Sequence, residues 1–346
     1  MHRLTAILFL VLVASAPASA GQLTPADLER VTNFAQRMQA VYEEGMALSF
    51  DLDGAEEYIE SYHAGEMEQA EFTAALDPFL DSMGAAVADF RARYPRAPSP
   101  PSIGSKIHER SLSGLAAMVV GLGEQLDRQL GVLYRLREAA LAGDDDAYDT
   151  ASADSMALAG EMILAENVSL EGSLVAIQPG HPQRGLTRAI IGGNEAMAVA
   201  LRVVEASLRG ADFEAGEFAL GVETSLRDAG RGIVEGEKAA RQMLKNLEGK
   251  FASTEADRYS ARFIGEFVKA YERAFVIERA ILEAERDLLD YFRAVNAGND
   301  DPESALEAIA EFQAELEDQS SQRLEEQNIR LEMAAEFSRT MQTMQN

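Results

Sequence analysis

From Phe263 to Val295 the apolar residues keep step with an α-helix over ten consecutive positions. Phe263, Phe267, Ala270, Ala274, Ile277, Ile281, Ala284, Leu288, Tyr291 and Val295 are separated by alternating steps of four and three. That spacing gathers all ten on one seam of a helix and scatters them over both faces of a strand. Phe275, Leu282 and Leu289 add a flanking stripe, which widens the apolar face to what a helical bundle needs. Ser253-Thr254-Glu255 supplies an N-cap and an acid in the first turn, so the spacing predicts a helix over about 253–295. At 1.5 Å per residue it is roughly 60 Å long.

The same rhythm recurs elsewhere. Leu112, Leu115, Val119, Leu122, Leu126, Leu130 and Leu133 predict a helix from about Ile103 to Leu141, and Ile190, Met197, Leu201, Val204 and Leu208 mark another. Thr24-Pro25 and Asp301-Pro302 each place a capping residue before a Pro at the first helical position, opening the first and last helices. Prolines otherwise gather in two connections, Arg93–Ser105 and Gln178–Arg184. Pro78 falls within helical spacing and predicts a kink or split near Asp77. No stretch keeps the alternation of a strand.

Four helical stretches end in a Gly followed closely by acidic residues: Ala64-Gly65-Glu66, Ala142-Gly143-Asp144, Arg209-Gly210-Ala211-Asp212 and Ala297-Gly298-Asn299-Asp300. Gly serves as the left-handed residue after a helix, and the acid caps the next one. The expected fold is therefore all-α, with antiparallel helical hairpins forming an elongated bundle. Residues 21–94 read as an N-terminal helical subdomain, 95–102 as a Pro-rich connection and 103–346 as the long-helix bundle.

The first twenty residues belong to a different category. Met1-His2-Arg3, the apolar run Leu4–Val13 and the small residues up to Ala20 form a signal peptide, with cleavage expected after Ala20. The apolar run is shorter than the roughly 20 residues of a membrane-spanning helix. The expected location is periplasmic or secreted. Cleavage removes only Arg3 among charged residues, leaving the chain slightly more negative than its full-length −27. Such a field disfavours nucleic acid and anionic membranes, and favours solubility or basic partners. There is no Cys, which excludes disulfides, thiolate metal sites and Cys nucleophiles. An exported chain without disulfides fits a bacterial envelope, where the sequon Asn167-Val168-Ser169 reads as coincidence.

Few residues suggest chemistry. Glu60-Ser61-Tyr62-His63 is a single Glu-x-x-His pair, whereas a carboxylate-bridged di-iron bundle needs two. The histidines of the mature chain, His63, His108 and His181, read as surface residues near turns. Asp144-Asp145-Asp146 and Asn299-Asp300-Asp301 lack the spacing of a calcium loop and suit helix capping. No nucleophile elbow or Ser-x-x-Lys is present. The glycines of 114–236 sit inside helical spacing, and Gly232-Ile233-Val234-Glu235-Gly236 points to close helix packing rather than a nucleotide. No cofactor, metal site or catalytic residue is assigned, and an enzyme is not expected.

Two segments suggest contacts. Lys238, Arg241 and Lys245 share a helix face in a basic stretch of an acidic chain, fit for an anionic ligand or partner or for pairing with neighbouring acidic helices. In the last helix Glu317–Asn328 is polar but for Leu324, and then Met333, Phe337, Met341 and Met344 resume apolar spacing. Those four either meet a partner or pack back on the bundle. The expectation is an exported, non-catalytic helical scaffold or binding protein that engages a protein partner or a copy of itself. A small ligand, a divalent cation or carboxylate chemistry between helices is the alternative.

Overall fold

The computed structural model describes residues 25–96, 98–103, 106–177, 179–211, 215–248 and 254–296, together with scattered positions between 319 and 343. Residues 1–20, on which the signal-peptide expectation falls, and Gly298, Pro302, Met341 and Met344 lie outside them. The described residues contain no strand. Seven helices follow in order: α1 (Pro25–His63), α2 (Gln69–Arg93), α3 (Lys106–Ala142), α4 (Asp145–Ala176), α5 (Pro182–Leu208), α6 (Ala215–Glu248) and α7 (Glu255–Asn296). Described positions from 319 to 343 are helical as well. None of the described helices is long and apolar enough to cross a membrane.

Three turns are built alike. Gly65, Gly143 and Gly210 have φ of 77°, 62° and 60°, a region that costs glycine no Cβ clash. At each, the glycine N–H donates to the carbonyl three residues back, and the next N–H donates five residues back: Glu66 N to Ser61 O at 2.9 Å, Asp144 N to Ala139 O at 3.1 Å and Ala211 N to Ala206 O at 2.9 Å. This is the Schellman closure of a helix end. It joins α1 to α2, α3 to α4 and α5 to α6. In the second turn the following acid caps the next helix, Asp144 Oδ1 accepting from Ala147 N at 3.0 Å, and Asp212 of the third lies outside the described residues. In the first, Glu68 is the N-cap of α2 and makes no side-chain cap bond.

The expected split at Pro78 does not occur. Helix α2 runs through it, with Phe72, Leu76, Leu80, Met83, Val87 and Phe90 buried along one face. Pro78 itself is exposed, so the carbonyl it leaves unbonded faces water and the buried face stays continuous.

The helices pack largely in chain order, most contacts joining helices one or two elements apart, with a side-chain contact from the end of α1 to the start of α4 through His63 and Tyr148. The apolar core falls into two clusters. One joins α1, α2 and α3 through side chains such as Phe34, Met46, Phe72, Phe90, Leu122 and Leu126, with Ile103 from the connection before α3. The other joins the end of α4 to α5, α6 and α7 through Leu170, Leu186, Ile190, Leu226, Ile233 and Phe275, and takes in Met333. The seam on α7 is buried from Phe267 through Ala270, Ala274, Ile277 and Ile281 to Ala284, with Phe275, Leu282 and Leu289 beside it. Thr254 caps α7 reciprocally: its Oγ1 accepts from Asp257 N, and its N–H donates to Asp257 Oδ2, each at 3.0 Å.

Close approach of α5 and α6 explains their glycines. A Cβ built on Gly185 lies 2.4 Å from the backbone of Gly232 and Gly236, and one on Gly192 lies 2.7 Å from Ser225 O. A Cβ on Gly114 meets nothing within 4 Å. Gly185→Ala is expected to lose about 2 kcal/mol or more by overpacking against backbone. Gly114→Ala is expected to gain up to about 1 kcal/mol from helix propensity alone. Urea unfolding of both variants checks this, and a neutral Gly185→Ala would refute the close contact.

Candidate functional site

The outer face of α6 is where the sequence and the structure converge. Arg227, Arg231, Val234, Lys238, Arg241 and Lys245 follow one another at steps of four and three, and all six are exposed. Gly232 and Gly236 lie on the opposite side of the helix, against α5 and the Phe275 ring. With 3.6 residues per turn, Gly236 points half a turn away from Arg227. Burial of the glycine face therefore fixes the basic face outward. Lys238, Arg241 and Lys245 form the C-terminal half of this stripe.

At its N-terminal half the stripe borders a groove of about 730 Å³ between α6 and α7. Arg227 and Arg231 line it from α6, Arg279 and Arg286 from α7, with Leu226, Val234 and Leu289 as apolar floor. Glu223, Glu235 and Asp290 also line it. The charges are not equally committed. Arg231 pairs with Asp228 at 2.9 Å, and Arg279 with Glu237 at 2.6 Å. Glu235 is engaged from behind by Arg188 of α5. Among the described residues, Arg227 and Arg286 have no acidic partner. Lys238 and Lys245 have none either, and Arg241 meets only Glu237 of its own helix, at 3.8 Å. Pairing with neighbouring helices thus leaves the stripe's cations available.

The C-terminal helical residues return to α7 instead of leaving the bundle. Phe337 stacks on Phe263 at 4.1 Å and on Tyr259 at 5.8 Å. Met333 packs on the second core. Met333 and Phe337, two of the four candidate partner contacts, are therefore used inside the chain. Within the polar gap Arg323 is buried, 5 % exposed, while Ser321, Gln322 and Glu325 are exposed, and just beyond the gap Arg330 is 2 % exposed. Arg323 forms a salt bridge with Glu278, while its Nε and Nη1, and Glu278 Oε1, have no hydrogen-bond partner. Arg330 lies over the Tyr271 ring at 5.4 Å. The Tyr271 hydroxyl, fully buried, donates to Gln183 Oε1 at 3.0 Å.

His181 is a correction. It was expected at the surface, but its ring meets the edge of Tyr271, and its Nδ1 accepts from Gln183 N at 3.1 Å to cap α5. Burial pushes its pKa down to about 4, so it is neutral. His63 stacks on Tyr148 at 3.8 Å. Asn167 of the sequon is buried and donates to Ile191 O at 3.2 Å, out of reach of modification.

A second polar stripe was not anticipated. Ser49, Asp53, Glu56, Glu60 and His63 recur at steps of four and three along α1. Gln129 of α3 links Ser49 to Asp53, and Ser155 of α4 donates to Glu56 at 3.5 Å. Desolvation against the neighbouring helices raises the half-buried Glu56 to about 7 and lifts Asp53, whose side chain still reaches solvent, to about 6. Among the described residues, no group of His, Asp or Glu is placed to hold a metal ion. Asp144 of the acidic turn serves as a cap. No protein-family model, curated protein or solved structure matches the chain.

Arg323→Ala leaves Glu278 alone in the core and is expected to cost about 3 kcal/mol, whereas Arg323→Met with Glu278→Leu is expected to restore most of it. Chemical denaturation of the three proteins decides this, and a mild single variant would contradict the buried pair. Glu56 behaves in the opposite sense to a salt-bridged acid. Its folded pKa is raised, so ionisation weakens the fold as pH climbs from 4.5 through 7. Glu56→Gln is expected to stabilise by about 2 kcal/mol at pH 8 and by nothing below pH 4.5. Melting curves across that range test it.

Proposed function

We propose that the chain is an exported, non-catalytic helical scaffold of the bacterial envelope that holds a protein partner along the outer face of α6 and the groove it shares with α7. The observation that carries this reading is the continuous exposed basic stripe from Arg227 to Lys245, set on a chain of charge −27. A cationic strip on an acidic protein gives a partner one preferred orientation, because the remaining surface repels the charge the strip attracts. The groove supports a binding role over an enclosed ligand site. Small-molecule sites bury most of their ligand's surface, whereas this one lies open between two helices. The signal-peptide pattern of residues 1–20 supports export.

Native mass spectrometry of protein purified gently from its own cell envelope tests the reading. The expected result is a chain beginning at Gly21 that carries a second protein, or a second copy, in stoichiometric amount. A bare monomer, or a monomer with only a small molecule or ion attached, would overturn it.

A further inference from the structure

Resting on the scaffold reading, we infer that the α6–α7 groove receives an acidic amphipathic helix of the partner protein, held by Arg227 and Arg286. These two are the groove's arginines without an ion pair among the described residues, one on each wall, although Glu223 and Asp290 line the same groove. A guanidinium offers a rigid fork of donors that matches a carboxylate in a two-point contact. Arg231 and Arg279 already have carboxylates, from Asp228 and Glu237. The vacancies thus call for acids at two places, not for a uniformly anionic ligand.

The floor calls for apolar residues at the same time. Leu226, Val234 and Leu289 lie between the charged walls, and Val234 is 56 % exposed, a cost that burial by a partner removes. An apolar stripe flanked by acids is what one amphipathic helix offers a groove between two others. Beyond the groove, Lys238, Arg241 and Lys245 continue the exposed face. The distance from Arg227 to Lys245 is about 27 Å at the helical rise, so the bound helix runs for about five turns. The chain's overall negative charge does not forbid this. At physiological salt, charges are screened beyond about 8 Å, and the nearest arginines dominate.

The test uses the full mature chain and a fluorescein-labelled 18-residue helical peptide, with Leu on one face and Glu on both flanks of that face. Fluorescence anisotropy is expected to show saturable binding that weakens at higher salt. Binding should fall roughly tenfold or more with Arg227→Glu/Arg286→Glu, and also when the peptide's Glu are replaced by Gln. Lys245→Glu, at the far end of the face, should weaken it less. All three side chains are exposed, so circular dichroism melts should match the parent. Absence of binding, equal binding by the charge-reversed variant, or displacement of the peptide by citrate at matching affinity would overturn the inference. The scaffold reading stands or falls separately. If a partner co-purifies but still binds the Arg227→Glu/Arg286→Glu protein, the groove assignment alone has failed.

Discussion

Gly185, Gly232 and Gly236 bring the backbones of α5 and α6 to a separation at which a single methyl group would clash. Much of the second half follows from that contact. It fixes the rotation of α6 about its own axis, since the face carrying Gly232 and Gly236 must point at α5 and α7. The face half a turn away, with Arg227, Lys238 and Lys245, has no helix to meet among the described residues. Phe275 fills the remaining space against Gly236, which ties the position of α7 to the same contact. The width of the groove between α6 and α7 is thus set from the buried side, by residues that never touch its contents.

A different interaction fixes the C-terminal residues. Arg323 and Arg330 enter a region where an arginine is costly unless it finds a counter-charge or an aromatic face. Glu278 and Tyr271 provide these. Such contacts tolerate little sliding: a shift by one turn would leave Arg323 and Glu278 buried apart. The stacking of Phe337 on Phe263 and Tyr259 holds the far end of the same pairing. The apolar seam alone would accept several registers, and the buried charges choose among them.

The helical architecture was legible wherever the sequence obeyed a repeat. The seam from Phe263 to Ala284, the glycine turns at 65, 143 and 210, and the exposed face of Lys238, Arg241 and Lys245 all lie where the spacing put them. The errors share a cause. Arg323 and Arg330 are polar, so the segment around them looked like a departure from the bundle, although Arg323, Arg330 and Phe337 repeat every seven residues as a buried seam does. Ser49 is hidden in the same way, a polar side chain buried within the apolar face of α1. His181 was placed outside because it stands beside prolines, yet Pro182 starts a helix and its cap is drawn inward. Pro78 does not split α2, since it lies on the exposed side of the helix, where a missing hydrogen bond matters least. The groove itself was not legible, because its second wall, Arg279 and Arg286, is distant in sequence and unremarkable in spacing.

The order of packing has a mechanical consequence. Each helix packs mainly on helices one or two places away along the chain, so most tertiary contacts form between neighbouring segments. Topologies of this kind fold quickly, since little chain entropy is lost before a contact forms. They also come apart in sequence. A pull on the two ends would load the hairpins in series, each one opening about the Schellman turn at its tip. The molecule would lengthen in steps, yielding at its weakest hairpin first while the others keep their shape.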